Sequence, residues 1–275
     1  CQLEASTFGN SQRKEEKMQK VEKTIAGKTM RLETGRIARQ SNGSVLVTLG
    51  ETSLLATVNA AKEPREDVDF FPLQVEYREK HYAGGKIPGG FFKREARPAE
   101  HEILTSRLTD RPLRPLFPKG FRNETQVIIT VLQSDGNNMA DVLAGVGASA
   151  ALMCSTIPWN GPIASVRVGR VDGTHIINPT RREMENSDLE LVVSGNINTV
   201  VMVEGEADCM SEEEMITALK EAHGCIKEII ELQNELISSL EIVKDEIIIK
   251  KPSADLLSAV ENIVGTKIKD IVSIK

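Results

Sequence analysis

The sequence predicts an α/β fold, on three observations. Residues 125–133, TQVIITVLQ, form a β-branched run of the kind a central strand carries. That run passes through the turn Ser134-Asp135-Gly136-Asn137-Asn138 into a helix of small residues, Ala140 to Cys154. Farther on, Ser211 and Glu214 make a capping box, after which Met215, Ile216, Leu219, Ala222, Ile226 and Ile230 recur at helical spacing.

The remaining elements follow in order. Residues 1–17 are polar and lack the apolar stretch of a secretory signal, and Met18 reads as the initiator. Residues 29–60 read as strands, with alternation in Ser44–Thr48, a turn at Gly50-Glu51 and a partner at Ser53–Val58 giving a hairpin. Phe71–Tyr77 is a further strand and Arg97–Leu108 a helix that Pro112 ends before Arg114. Strands follow at Ile163–Val168, Thr174–Ile177, Leu189–Val193 and Thr199–Val203, parted by turn signals at Asp172-Gly173, Asn178-Pro179 and Ser194-Gly195-Asn196. A last helical pattern runs from Ala254 to Lys275, and the chain stops inside it, which reads as a cut.

Composition narrows the function classes. The 275 residues are 40% hydrophobic and 27% charged, as in ordinary globular proteins, while 4% aromatics leave a core of Ile, Leu, Val and Ala. No run approaches the roughly 18 apolar residues a membrane helix needs, so no membrane association is expected. Cys1, Cys154, Cys209 and Cys225 form no CxxC pair, and His81, His101, His175 and His223 fall in no metal-binding pattern. Buried free thiols in a reducing compartment are expected, with the cytoplasm as location and an organellar matrix as the alternative.

Charge is concentrated. From Arg78 to Arg122 eleven Lys and Arg stand against five acids, so the segment carries +6 and leaves −12 for the rest of a chain of net charge −6. Within it, the pairs Gly84-Gly85 and Gly89-Gly90 bracket a loop that leads to Phe91-Phe92-Lys93-Arg94. Aromatic faces beside cations suit stacked bases and their phosphates. Arg107, Arg111 and Arg114 follow at spacings of four and three; a helix gathers the first two on one face, Pro112 ending it before Arg114. This composition points to a polyanion site. By contrast, the strand–turn–helix at Ser134–Asn138 is only a generic phosphate cradle, with one glycine and no cation in the turn.

The stretches LETGRIARQSNGSVLV, FFPLQVEYREKHYAGGKIPGGFFKRE, EILTSRLTDRPLRPLFPKGF, GASAAL, IPWNGPI and INPTRREM, followed by DLELVVSG, resemble the N-terminal half of the polynucleotide phosphorylase family, in the family's order from about Lys23 to Leu240. The resemblance implies an RNase PH-like two-layer α/β core (ribosomal protein S5 domain 2-like) over 23–240, an extension at 1–22, and the beginning of an all-helical linker at 241–275. It implies a whole protein with a second core and RNA-binding KH and OB-fold domains, assembled as a homotrimeric ring around single-stranded RNA. That protein degrades RNA 3′ to 5′ by phosphorolysis, with Mg²⁺ or Mn²⁺ and inorganic phosphate as co-substrate. Degradosome proteins, an endoribonuclease and an RNA helicase, are the implied further partners. RNA binding carries over to Phe91, Phe92, Lys93 and Arg94, and then to Arg97, Arg107, Arg111 and Arg114.

The family's catalytic pattern is absent. Where active cores place phosphate-holding hydroxyls or Arg, this chain has Asn137, Asn138 and Met139; where they place paired aspartates it has Asn178 and Arg182. Asparagine brings no charge to a hard cation and arginine repels it. Asp141 and Asp188 read as capping and turn residues. No catalytic residue and no metal ligand are therefore expected in this core. The alternative to a part of a phosphorylase is a stand-alone noncatalytic RNA-binding ring subunit of an exosome-like assembly.

Overall fold

The computed structural model describes residues 18–64, 68–89, 94, 95, 97–246 and 253–273. The first pairing is a hairpin: β1 (Gln19–Ile25) and β2 (Lys28–Thr34) run antiparallel. They join through Ala26 and Gly27, both at positive φ (49° and 77°), the conformation whose twist matches a tight two-residue turn. Strand β1 was not expected from the sequence, because only every second residue is half-buried and its polar face dominates the composition. The meander continues with β3 (Gly43–Leu49) and β4 (Thr52–Pro64), the hairpin the alternation predicts.

β5 (Leu73–Glu79) then crosses over through α1 (Glu100–Leu113) to β6 (Asn123–Gln133), which pairs parallel to β5 and antiparallel to β4. The sheet order is β1-β2-β3-β4-β6-β5, so β6 is interior, as expected. Only its alternate residues Thr125, Val127, Ile129 and Val131 are buried; the sheet has one core face. Helix α1 begins three residues later than expected and runs through Pro112. Arg114 stays helical, its N–H reaching the Asp110 carbonyl, because a proline in the last turn removes one bond without forcing the chain away.

The second sheet is antiparallel, in the order β10-β9-β7-β8, from β7 (Ala164–Val171), β8 (Thr174–Ile177), β9 (Leu189–Gly195) and β10 (Val200–Ala207). A one-turn helix, α3 (Arg181–Met184), follows β8. Two helices tie the sheets together: α2 (Asp141–Met153) touches β3, β4 and β7, and α4 (Glu212–Ser238) touches β1, β2, β7 and β9. The small residues of α2 explain how it fits. A Cβ on Gly147 would stand 2.9 Å from Leu54 Cδ1, and one on Gly145 would collide with the Ser165 hydroxyl, so glycine is needed on both sides. A buried polar link spans the joint: Ser149 Oγ donates to Gln233 Oε1 (2.7 Å), Gln233 Nε2 donates to the Ile163 carbonyl (2.8 Å), and the Ile163 N–H donates to Ser149 Oγ (3.0 Å).

The capping box of α4 is present, and Ala222, Ile226 and Ile230 are buried as the spacing predicts. Ile216 is the exception, 50% exposed, because the buried stripe begins at Ala218. Past α4, Lys244 turns back to cap α2, donating to the carbonyls of Leu152, Met153 and Ser155 at 2.9, 3.1 and 2.8 Å. α5 (Ala254–Val272) ends the described chain. No described helix is long and apolar enough to cross a membrane.

Candidate nucleic-acid interface

The residues singled out in the sequence divide three ways. Phe91, Phe92 and Lys93 lie outside the described residues. Arg94, Arg97 and Arg107 are exposed. Arg107 lines a groove of about 320 Å³ between β5 and α1, with Arg78, Pro98 and Ile103 among its other walls. An edge strand and an amphipathic helix thus make an open trough whose wall carries Arg78, Arg107 and Arg114 together with the acids Glu76 and Asp110.

Arg111 and Arg114 are engaged inside the chain. Arg111 is ion-paired to Glu204 of β10, which ties α1 to the second sheet beside the apolar packing of Leu108 with Val142, Val192 and Met202. Arg114 grips Asp110 with two nitrogens (2.9 and 2.7 Å), donates to the carbonyls of Phe71 and Leu73 (3.0 and 3.2 Å), and lies 5.8 Å from the Phe71 ring centre. Four of the Arg114 donors already have acceptors within the chain, and it pins the start of β5 to the end of α1.

The acids of this segment hold backbone and side chains in place. Buried Glu102 accepts from the N–H groups of Glu79 (2.8 Å) and Ala99 (2.6 Å), fixing the entry of α1 against β5. Tyr77 donates its hydroxyl to Glu79 (2.7 Å), and burial followed by that neighbouring carboxylate pushes the phenol pKa far up.

A second polar cluster gathers Asn137, Asn138 and Asn178, the residues that the resemblance aligns with catalytic positions. The β6–α2 loop and the loop after β8 come together directly, the Arg181 N–H donating to the Asn137 carbonyl (2.9 Å), and Lys28 at the start of β2 bridges them. Its ammonium donates to Asn138 Oδ1 (2.9 Å) and to the Asn178 carbonyl (2.7 Å). Burial pulls the Lys28 pKa below lysine's ordinary value, and the carboxylates of Glu183 and Asp135 counter part of that effect. The turn is also occupied. Asp135 Oδ1 accepts from the N–H groups of Asn137 and Asn138, both at 2.8 Å, and Oδ2 accepts from the Asn138 amide at 2.6 Å. Burial raises the Asp135 pKa, but those N–H donors outweigh it and hold the carboxyl below its ordinary range.

The chemistry follows from these partners. The N–H groups that a phosphate would need already face an internal carboxylate, and the oxygens that could face a cation already hold an internal ammonium. Arg182 is exposed and Asn178 is buried, held at φ 50° with its side chain accepting from the Arg167 N–H (3.0 Å). Among the described residues no three His, Cys, Asp or Glu side chains group to hold a metal. The residues present do not fit Mg²⁺ or Mn²⁺. Asp141 and Asp188 are in ion pairs with Arg167 and Arg170 of β7, the latter bidentate at 2.8 and 2.7 Å. Lys28 escaped sequence reasoning because it lies 110 residues from Asn138 and 150 from Asn178, in a hairpin that looks like any other.

Residues 26–158 match the model of the 3′ exoribonuclease family, domain 1, and residues 161–225 that of domain 2. Over 256 residues, 93% of the chain, it is 50% identical to a polyribonucleotide nucleotidyltransferase of Geotalea uraniireducens, and over 248 residues, 90% of the chain, 50% identical to one of Thermomicrobium roseum. The chain spans 37% and 31% of the length of these two relatives. Among solved structures, a chain of the Archaeoglobus fulgidus exosome with RNA bound to the active site superposes with TM-score 0.56 at 19% identity, over 78% of this chain and 87% of that one. Rice (Oryza sativa) Rrp46 does so with TM-score 0.59 at 16% identity, over 80% and 94%. These two confirm the RNase PH-like α/β fold. With both of its domain models matched in order and relatives at half identity all named for one enzyme, the chain belongs to the 3′ exoribonuclease family and is akin to its polyribonucleotide nucleotidyltransferases.

Proposed function

We propose that the chain is the N-terminal, RNA-gripping core of a polyribonucleotide nucleotidyltransferase, and that the whole protein degrades single-stranded RNA 3′ to 5′ by phosphorolysis. In this reading a second core, served by inorganic phosphate and Mg²⁺ or Mn²⁺, carries the chemistry. This core holds the strand and contributes to a ring of three copies in the cytoplasm, where an endoribonuclease and an RNA helicase are its partners. The 50% identity to nucleotidyltransferases favours it over a stand-alone ring subunit.

The observation that carries the division of labour is the filled junction. Asp135 takes the N–H donors and Lys28 takes the oxygens at the two loops that match the family's catalytic positions. Exposed Arg94, Arg97 and Arg107 leave a cationic face for phosphates, which are engaged without regard to sequence. The test is a paired assay on the purified 275-residue chain. We expect affinity for a fluorescent single-stranded RNA that weakens with salt, and no release of nucleoside diphosphate with phosphate and Mg²⁺ present. Diphosphate release would overturn the assignment of chemistry to another core.

A further inference from the structure

The glycine-bracketed loop leaves a short 3-10 turn, His81–Gly84, and returns at Arg94 and Glu95. At the return Glu95 is bound back onto the turn it left. Its Oε1 accepts from the His81 N–H at 2.6 Å and lies 2.8 Å from His81 Nδ1, while Oε2 stands 3.3 Å from the Lys80 ammonium. The turn is itself well anchored. Ala83 is buried, its carbonyl accepts from the Ser134 N–H at 2.8 Å, and the His81 carbonyl accepts from Lys86 N–H at 2.9 Å. The carboxyl is held down to a pKa of about 2, by the His81 N–H first and then by the His81 ring and Lys80, so it stays an anion at any working pH.

An anion kept inside a cationic segment works against a polyanion partner unless it has another task. We infer that Glu95 is a positioning residue for RNA: tied to His81 and Lys80, it fixes the backbone next to Arg94, so that this guanidinium meets a phosphate without first being ordered. The inference rests on the RNA-gripping reading above. It names a carboxylate, of the charge opposite to the binding residues, as part of the binding device. Positioning of this kind acts by removing an ordering cost before the ligand arrives.

The sign of the effect separates this from simple electrostatics. If Glu95 acts only through its charge, Glu95→Ala removes a negative group, frees Lys80 and tightens RNA binding. If it positions Arg94, the same substitution weakens binding, by about five-fold for one long side chain no longer ordered in advance. Glu95→Gln, whose amide oxygen still accepts from the His81 N–H, retains near-native affinity. Arg94→Ala then weakens binding less in the Glu95→Ala background than in the native chain, because the two residues act as one unit.

The experiment is titration of a fluorescent single-stranded RNA with the native chain, Glu95→Ala, Glu95→Gln, Arg94→Ala and the Glu95→Ala/Arg94→Ala double variant, each checked for an unchanged melting temperature. Weaker binding by Glu95→Ala, rescue by Glu95→Gln and a non-additive double variant support the positioning role. Unchanged or tighter binding by Glu95→Ala, with Arg94→Ala still weakening it, overturns the role of Glu95 alone. A native chain with no salt-sensitive RNA affinity overturns both this role and the RNA-gripping reading.

Discussion

The junction at Lys28 and the trough beside α1 are both charged, but the first gathers loops far apart in sequence whereas the second lies between the consecutive elements β5 and α1. At the junction each charged group meets dipoles of the right sign within the chain: Lys28 faces the oxygens of Asn138 and Asn178, and Asp135 faces the N–H groups of Asn137 and Asn138. In the trough Arg107 is exposed, as are Arg94 and Arg97 ahead of α1, and Glu102 and Glu95 of the same segment are engaged in holding backbone. A site that satisfies its own polar groups gains stability and gives up ligands, since a buried donor or acceptor left without a partner costs more than a bond returns. A site that leaves cations in water keeps them available at little penalty. The two regions show one scaffold used in both ways.

The comparison can be broken most sharply at Lys28. Replacing it by alanine strands the Asn138 and Asn178 oxygens, and a loss of about 3 kcal/mol is expected from two bonds to a charged donor. A urea titration checks it; RNA affinity should stay as it was, and a stability change below half of that would show that the junction is not held by this ammonium.

Next in size is Arg114→Ala, which removes the clamp on Asp110 and on the carbonyls of Phe71 and Leu73. About 2 kcal/mol of stability is expected to go, read from the shift in melting temperature. Loss of RNA affinity by a fully folded variant would return Arg114 to the binding face.

Arg97→Ala with Arg107→Ala should do the reverse. Stability stays within about 0.5 kcal/mol, as for exposed positions. The slope of log affinity against log salt becomes shallower by about 0.7 for each phosphate that is no longer neutralised, and filter binding across a salt series measures it. A slope equal to the native one would remove these two residues from the interface.

The smallest effect concerns pH. The Asp135 pKa is lower folded than unfolded, so its contribution is complete above the unfolded value of about 4 and disappears as pH falls through the lower folded value. Stability of the native chain should therefore drop below about pH 4 more than that of Asp135→Asn, by on the order of 1 kcal/mol. Parallel stability curves for the two would show that the carboxylate gains nothing from the turn.

Much of the fold was legible because its signals are local. The hairpin at 44–58, the small-residue helix and the capping box at Ser211 each depend on neighbours within a few residues, and all three are found where the sequence puts them. Strand β1 was missed for the same reason, since its seven residues bury too little to stand out alone. On the interface, the run of cations could be counted but not sorted. Arg107 and Arg111 sit one helical turn apart, yet only Arg111 comes within reach of Glu204, 93 residues away.

The sequence by itself determined the α/β class and the cationic segment between Arg78 and Arg122. Composition and spacing suffice for these, because they are properties of neighbours along the chain. Tertiary structure alone decided that Lys28 fills the junction and Asp135 its turn. It also decided that Arg114 is a clamp, that Lys244 caps α2, and that Glu95 is tied to His81. Each of these depends on which donor lies within about 3 Å of which acceptor, and that distance is set by how two sheets pack around α2 and α4, not by the order of residues.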